Sequence, residues 1–319
     1  CGKVISPQEI NLDSQLDELL HRGKKNGAVV EIINQKKFEQ LVPNGRTSSG
    51  RAIWSPNTSV VSPLKVVNRL YEQLESDGIN FLFDTKVKKF FSEEQAVILK
   101  SKLNAEEYKI KFSHLFNCAG LQSDEISKLF GIGKDFNLIP FKGIYWELKK
   151  KSNLFFNTNL YPVPDLNMPF LGVHVTPSID GNIYLGPTAI PAFGSENYYA
   201  LEGLEPLKTL NNLAIMANQL IRNENKFRNY ATEQALLGFK YLFFKSAKQL
   251  IPSLKMEDII PSRKVGIRPQ LYNNISRKLL TDFYLETTPC STHILNAISP
   301  AFTASFAFAD YVIQKGLKK

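Results

Sequence analysis

Two kinds of residue pattern alternate along this chain of 319 residues. Residues 140–187 read as aromatic strands punctuated by proline and glycine, which is typical of an antiparallel sheet. On either side, helices and strands are mixed, and one helix is predicted where Ser62 caps the first turn and Pro63 fills its first position. Residues 79–83 and 87–91 read as strands, and residues 96–99 and 108–112 as a hairpin. The alternation predicts a mixed α/β (α+β) fold of two intertwined domains, one of them shared by the first and last thirds of the chain.

The composition is that of a folded globular protein. Hydrophobic residues make up 43% and charged residues 22% of the sequence, close to the averages for soluble domains. The formal net charge of +9 is scattered over short clusters such as Lys149-Lys150-Lys151. Because affinity for nucleic acid needs a concentrated basic footprint, we expect no nucleic-acid partner.

Residue spacing argues against a metal site and against a disulfide framework. The three cysteines, Cys1, Cys118 and Cys290, form no C-x-x-C pair, and the four histidines have no ligand spacing. We therefore expect no metal ion, and reduced cysteines fit a cytoplasmic location. The sequence begins with neither a signal peptide nor an initiating methionine, so we expect a chain that is cut at its N-terminus.

An apolar strand runs into small residues at Cys118-Ala119-Gly120 and then into a capped helix. Small residues at such a junction let the backbone approach a ligand, and the start of a helix favours an anion. An ordinary strand-to-helix turn has the same pattern. The sequence alone leaves both interpretations open.

Two further segments carry polar residues in apolar strands. Asp180-Gly181 predicts a hairpin turn that pairs the strands of His174 and Tyr184, although a histidine among apolar neighbours is more often a core residue. Arg268 lies inside an apolar strand and needs an anion there. That anion could be a ligand or a structural carboxylate.

Together these segments resemble the L-2-hydroxyglutarate dehydrogenases and oxidases, FAD enzymes of the D-amino-acid-oxidase-like group. The resemblance runs over nearly the whole chain. It rests on the order and spacing of short blocks: Cys1-Gly2-Lys3, Phe116-Asn117-Cys118-Ala119-Gly120, Ser123-Asp124, Pro140-Phe141-Lys142-Gly143, Tyr145, residues 161–165 and 170–176, Gly266-Ile267-Arg268, residues 293–297, and Ser299-Pro300-Ala301.

The resemblance implies a discontinuous, two-domain, D-amino-acid-oxidase-like FAD/NAD(P)-binding fold. Residues 62–137 and 288–319 would form the remainder of the FAD-binding domain, and residues 1–61 and 138–287 a substrate domain with an antiparallel sheet. The family begins with a strand and a G-x-G-x-x-G turn, which this sequence lacks. We therefore expect the first βαβ unit to be missing.

The resemblance also implies the chemistry. Members oxidise the 2-hydroxyl of L-2-hydroxyglutarate by hydride transfer to FAD and pass the electrons to a quinone or to oxygen. Arg268, Tyr145 and Tyr161 would bind the substrate, and His174, with His293 as second choice, would be the base. The residues implied to contact FAD are Val87, Cys118, Ala119, Gly120, Ser299, Pro300 and Thr303.

Three alternatives remain open at this level. The chain could be another hydroxy- or amino-acid oxidase of the same fold, acting for example on glycerol 3-phosphate or glycine, or a truncated remnant without catalytic activity. Residues 238–248 carry aromatic and basic side chains at helical spacing, which suits an interfacial helix. Peripheral contact with the inner membrane is therefore also expected, unless those aromatic residues cover the core.

Overall fold

The computed structural model describes residues 1–164, 172–199, 202–223, 228, 236–298 and 300–317. The strands, in chain order, are β1 (Lys3–Ser6), β2 (Glu31–Asn34), β3 (Arg51–Ser55), β4 (Thr85–Phe91), β5 (Ala96–Ser101), β6 (Glu107–Lys111), β7 (Leu115–Asn117), β8 (Phe136–Leu148), β9 (Asn159–Pro162), β10 (His174–Pro177), β11 (Ile183–Gly186), β12 (Ile190–Pro191), β13 (Ile259–Asn273), β14 (Lys278–Leu279), β15 (Tyr284–Thr288) and β16 (Ser291–Asn296). The helices are α1 (Ser14–Lys25), α2 (Gln35–Leu41), α3 (Pro63–Ser76), α4 (Ser123–Leu129), α5 (Pro206–Arg222), α6 (Lys240–Leu250) and α7 (Ser305–Gly316).

The chain divides into two compact units, each assembled from three separate segments. Unit 1 comprises Cys1–Gln73, Lys142–Ile190 and Asn218–Gly266, and unit 2 comprises Leu74–Phe141, Pro191–Ala217 and Ile267–Lys319. A compact unit need not coincide with a ligand-binding domain. The domain boundaries implied by the family resemblance therefore stay a prediction.

A twisted sheet forms the centre of unit 1. Seven of its ten strands lie in the order β8, β11, β10, β9, β1, β3, β2, and β13 lies next to β8. Neighbours among these seven strands are antiparallel except for β1 and β9, which run parallel. The hairpin predicted at Asp180-Gly181 is present, because β10 and β11 pair across that turn. The sheet places segments that are far apart in the sequence side by side.

Helix α6 covers one face of this sheet. It buries Phe243, Ala247 and Leu250, whose spacing defines one apolar stripe of a helix. They join a core that includes Val4 and Leu160 of the sheet. Part of the aromatic and basic stretch predicted to suit an interface thus lies in the core.

Unit 2 contains two three-stranded sheets. Strand β16 runs parallel to β7 and antiparallel to β15, and β4, β5 and β6 form an antiparallel meander. The meander contains the hairpin predicted from residues 96–99 and 108–112. A hydrophobic cluster of Phe136, Leu138, Leu271 and Leu295 forms a core of this unit.

One strand prediction is wrong. Residues 79–83 form no strand, because among the described residues no strand pairs with them. The rings of Phe81 and Phe83 stack on each other instead, with centroids 6.0 Å apart. Within the described segments, no helix is both long and apolar enough to cross a membrane.

Candidate active site

The pleat of the unit 1 sheet sorts its side chains onto two faces. Side chains alternate along a strand, and the core face receives Val4, Leu160, Val175, Leu185 and Trp146. Each of these has a direct neighbour in the sequence that belongs to the opposite face. We call that opposite face the site face; its members include Lys3, Tyr161, His174, Tyr184, Tyr145 and Glu147, which pairs with Tyr184.

The site face therefore brings together three residues that the sequence analysis singled out. They are His174, Tyr161 and Tyr145, from strands β10, β9 and β8. The rings of His174 and Tyr161 stack with centroids 4.1 Å apart. The ring of Tyr145 meets that of Tyr184 edge to face at 6.3 Å. These ring contacts restrict the orientation of each side chain.

One hydrogen bond fixes the tautomer of His174. The imidazole is 8% exposed, and its Nδ1 atom lies 3.1 Å from the carbonyl oxygen of Gly172. Because a carbonyl oxygen only accepts, Nδ1 carries the proton and Nε2 of the neutral ring holds a lone pair. Among the described residues, Nε2 has no hydrogen-bond partner. His174 can therefore accept a proton at Nε2.

His174 is neutral at physiological pH. Burial is the main cause that lowers its pKa to about 4, and the positive charges of Lys264 and Lys3 lower it further. Both effects disfavour the imidazolium form. The site thus contains an unprotonated base close to two ammonium groups.

The two lysines are site residues that the sequence analysis did not identify. Nζ of Lys3 lies 5.5 Å from the ring centroid of Tyr161, and burial lowers the pKa of Lys3. Lys264, on β13, points to the rings of Tyr145 and Tyr184. Lys3 precedes the buried Val4, so strand alternation could have placed it on the site face. No local signal marks Lys264.

Arg268 also lies on β13 but belongs to unit 2. Its side chain is half-buried, and it takes part in at least one polar or ring interaction with the protein. The substrate-binding role implied for Arg268 stays a prediction.

The predicted cofactor segment follows β7 in unit 2. The side chain of the buried Asn117 accepts a hydrogen bond from the amide of Ala119 at 3.2 Å and donates one to the carbonyl of Ser123 at 2.8 Å. These bonds hold the turn that contains Cys118 and Gly120. Gly120 has φ +56°, and a Cβ atom at this position would meet no atom within 4 Å. The backbone of the turn therefore borders open space.

The other residues implied to contact FAD are spread over unit 2. Val87 is half-buried on β4, whereas Pro300 and Thr303 are exposed just before α7. The hydroxyl of Thr303 donates to the carbonyl of Pro300 at 3.1 Å. Ser299 lies outside the described residues. The roles implied for these residues stay predictions.

His293 lies in a closed network in unit 2. Nδ2 of Asn117 donates to its Nδ1 at 3.0 Å, and its Nε2 lies 2.8 Å from the hydroxyl of Ser291. The ring is 0% exposed, and burial is the main cause that lowers its pKa to about 4. Because both ring nitrogens of His293 are engaged, the geometry favours a structural role for His293. Of the two histidines, it favours His174 as the base.

We predict that stability falls as the pH decreases from about 6.5 to 5. The pKa values of His174 and His293 are about 4 in the folded protein and about 6.5 in the unfolded chain. The unfolded state therefore binds these protons first, and each histidine lowers the free energy of unfolding by up to about 3 kcal/mol by pH 4. The midpoint of thermal unfolding, measured between pH 8 and pH 5, should be flat above pH 7 and fall below it.

Near pH 6, carboxylates remain ionised, so a change in the unfolding midpoint at this pH is caused by histidines and not by carboxylates. In His293→Gln the midpoint should depend less on pH between 6.5 and 5 than in the wild type. An unfolding midpoint that does not change between pH 7 and pH 5 would show that neither histidine is held neutral by the fold.

A comparison with known proteins assigns the family. The family model described as FAD dependent oxidoreductase matches residues 1–315, so the chain belongs to the FAD-dependent oxidoreductases. It is 31% identical over 336 residues to mitochondrial L-2-hydroxyglutarate dehydrogenase of Caenorhabditis elegans, covering 100% of this chain and 74% of that protein. It is 28% identical over 318 residues to L-2-hydroxyglutarate dehydrogenase of Escherichia coli O17:K52:H18, covering 99% of this chain and 72% of that protein.

Solved structures agree on the fold. The chain is similar to the dithionite-reduced, FAD-bound L-alpha-glycerophosphate oxidase of Mycoplasma pneumoniae, with a TM-score of 0.72 and 16% identity, over 100% of this chain and 73% of that one. The predicted D-amino-acid-oxidase-like fold, the resemblance to L-2-hydroxyglutarate dehydrogenases, the enzyme class and the cofactor FAD are thus confirmed. The open glycine turn after β7 fits such a cofactor, because it lets the backbone approach a ligand.

We predict that Gly120→Ala lowers the FAD content of the purified protein. The new methyl group projects into the space beside the turn, and the left-handed backbone costs about 1–2 kcal/mol for a residue with a Cβ atom. Gly131→Ala is a matched control, since Gly131 also has a positive φ, +79°, and no atom within 4 Å of its Cβ position. The flavin-to-protein absorbance ratio should fall in Gly120→Ala only. Equal losses in the two variants would mean that backbone strain alone is responsible.

Proposed function

We propose that this protein oxidises the 2-hydroxyl of L-2-hydroxyglutarate to the ketone of 2-oxoglutarate. The observation that carries the proposal is His174, a buried neutral base with an unpartnered Nε2 atom among the described residues, close to two ammonium groups. The names of the relatives from C. elegans and E. coli support the same substrate. The base and the positive charges suit a hydroxy acid with two carboxylates.

His174 supplies the acid–base chemistry. Oxidation of an alcohol removes the hydroxyl proton, and Nε2 of His174 accepts it. The imidazolium that forms keeps its hydrogen bond from Nδ1 to the Gly172 carbonyl, and the ring of Tyr161 limits its rotation. FAD, when bound, accepts the hydride from the carbon that carries the hydroxyl.

Lys3 and Lys264 change how readily His174 accepts a proton. In the free protein, Lys3 and Lys264 oppose protonation of His174. A dianionic substrate compensates both positive charges and thereby raises the pKa of His174 in the complex. His174 is therefore a better proton acceptor when the substrate is present than when it is absent.

Arg268 is the proposed anchor for the carboxylate next to the hydroxyl. A guanidinium group donates two parallel hydrogen bonds to a carboxylate and so fixes its orientation, which an ammonium group cannot do. The family resemblance implies this role for the arginine of Gly266-Ile267-Arg268. Orientation at this carboxylate lets the protein distinguish the L-isomer from the D-isomer.

Turnover with an artificial electron-accepting dye tests the substrate assignment. We expect kcat/KM for L-2-hydroxyglutarate to exceed that for glycerol 3-phosphate and for glycine by at least about 10²-fold. A higher value for glycerol 3-phosphate or glycine would assign the protein to another oxidase of this fold. The quinone or oxygen acceptor, the peripheral membrane contact and the cytoplasmic location stay predictions.

A further inference from the structure

Lys264 holds its ammonium group beside two tyrosine rings. Its Nζ atom lies 5.0 Å from the ring centroid of Tyr145 and 4.6 Å from that of Tyr184. Because the two rings also contact each other edge to face, they form a corner on the site face. Cation–ring contacts of this length are attractive. They hold the ammonium at a defined place on the site face.

This ammonium has no ion-pair partner within the part of the chain that the structure describes. Asp180 acts on Lys264 only as a more distant charge, and its carboxylate accepts a hydrogen bond from the backbone amide of Asn182 at 3.1 Å. Surrounding protein atoms desolvate Lys264 and lower its pKa. Lys264 is nevertheless exposed, so its ammonium group is accessible to an anion from solution and can form charge-assisted hydrogen bonds with it.

The strand register sets the spacing between this corner and the base. His174 on β10 pairs with Gly186 on β11, and Tyr184 lies two residues along β11 on the same face. Two residues of a strand span about 7 Å. In an extended five-carbon diacid, the hydroxyl-bearing carbon and the distal carboxylate are about 5 Å apart, and a hydrogen bond adds about 3 Å at each end. A diacid with its hydroxyl at His174 is therefore long enough to extend to the corner of Tyr145 and Tyr184, beside which Lys264 lies.

We propose that Lys264 binds the second carboxylate of the substrate and thereby selects 2-hydroxy diacids over 2-hydroxy acids with a single carboxylate. The inference rests on the proposed function, in which Arg268 takes the carboxylate next to the hydroxyl. It makes Lys264 a specificity-determining residue.

The test compares two substrates on Lys264→Met, whose side chain keeps most of the apolar contact with the tyrosine rings. For L-2-hydroxyglutarate we expect kcat/KM to fall by about 10- to 100-fold, because a charge-assisted hydrogen bond is lost. For L-2-hydroxyvalerate, which lacks the second carboxylate, we expect a change of less than about twofold. Lys264→Arg keeps the positive charge and should retain much of the preference for the diacid.

Lys240→Met is the matched control. Nζ of Lys240 also lies near an aromatic ring, 5.9 Å from the ring centroid of Trp146, but Trp146 belongs to the core face. Both substrates should be oxidised by Lys240→Met as by the wild type.

A second readout is the pH dependence of kcat/KM, in particular the acid limb, where kcat/KM falls as His174 becomes protonated. Since Lys3 and Lys264 are the cations that act on His174, this limb should move to higher pH in Lys264→Met.

The outcomes separate the two proposals. Equal losses for both substrates in Lys264→Met, or no loss for either, would overturn the role of Lys264. If the wild type oxidises neither substrate, the proposed reaction is wrong. The role of Lys264 is then tested by binding of glutarate and butyrate, followed by the change in flavin absorbance of the FAD-loaded protein. Loss of glutarate binding alone in Lys264→Met would support the role, and unchanged glutarate binding would refute it.

Discussion

Replacing His174 with asparagine should lower the rate constant for flavin reduction by L-2-hydroxyglutarate by about 10²- to 10⁴-fold. The asparagine amide can still donate a hydrogen bond to the carbonyl of Gly172, which His174 contacts at 3.1 Å. It offers no basic lone pair for the hydroxyl proton. Rapid mixing of the FAD-loaded protein with substrate in the absence of oxygen measures this rate constant directly.

His21→Asn is the control for this substitution. His21 is exposed on helix α1, so its replacement should leave the rate constant unchanged. A rate constant for His174→Asn within about threefold of the wild type would exclude His174 as the base, because general-base catalysis typically contributes far more than that.

Replacing Arg268 with methionine should lower kcat/KM for L-2-hydroxyglutarate by about 30- to 10³-fold, mostly through KM, because a substrate carboxylate loses its hydrogen-bonded partner. Arg268→Lys should recover only part of the loss, since an ammonium group keeps the charge but not the two parallel hydrogen bonds. Steady-state rates at several substrate concentrations separate the effect on KM from that on kcat.

Arg263→Met provides the comparison for Arg268. Arg263 is exposed on the same strand, β13, and should tolerate the change with kcat/KM within about twofold of the wild type. If Arg263→Met and Arg268→Met reduce kcat/KM equally, the loss comes from perturbing the strand, and Arg268 has no specific role in substrate binding.

The site face shows how far local sequence pattern can predict a site. Each of its members directly precedes or follows a buried apolar residue, as His174 precedes Val175 and Tyr161 follows Leu160. This period of two is visible in the sequence and indicates that these residues lie opposite the core. The pairing of β10 with β11 was also predictable, because the turn at Asp180-Gly181 has the residues of a tight hairpin.

Lys264 and residues 79–83 show where local pattern fails. The role of Lys264 depends on contacts with Tyr145 and Tyr184, which are distant in the sequence and belong to other strands. Residues 79–83 have the apolar composition of a strand, but a strand also needs a partner, and composition does not reveal one. His293 had the residue type of a base, yet its two ring nitrogens are engaged by Asn117 and Ser291.

The most direct test is a single oxidation in the absence of oxygen. The FAD-loaded protein is mixed with L-2-hydroxyglutarate or with its D-isomer, and the flavin absorbance is followed while the product is quantified. We expect the L-isomer to bleach the oxidised flavin and to yield one 2-oxoglutarate per flavin, and the D-isomer to leave the absorbance unchanged. Persistence of the oxidised flavin with the L-isomer, or equal bleaching by both isomers, would contradict the proposed function.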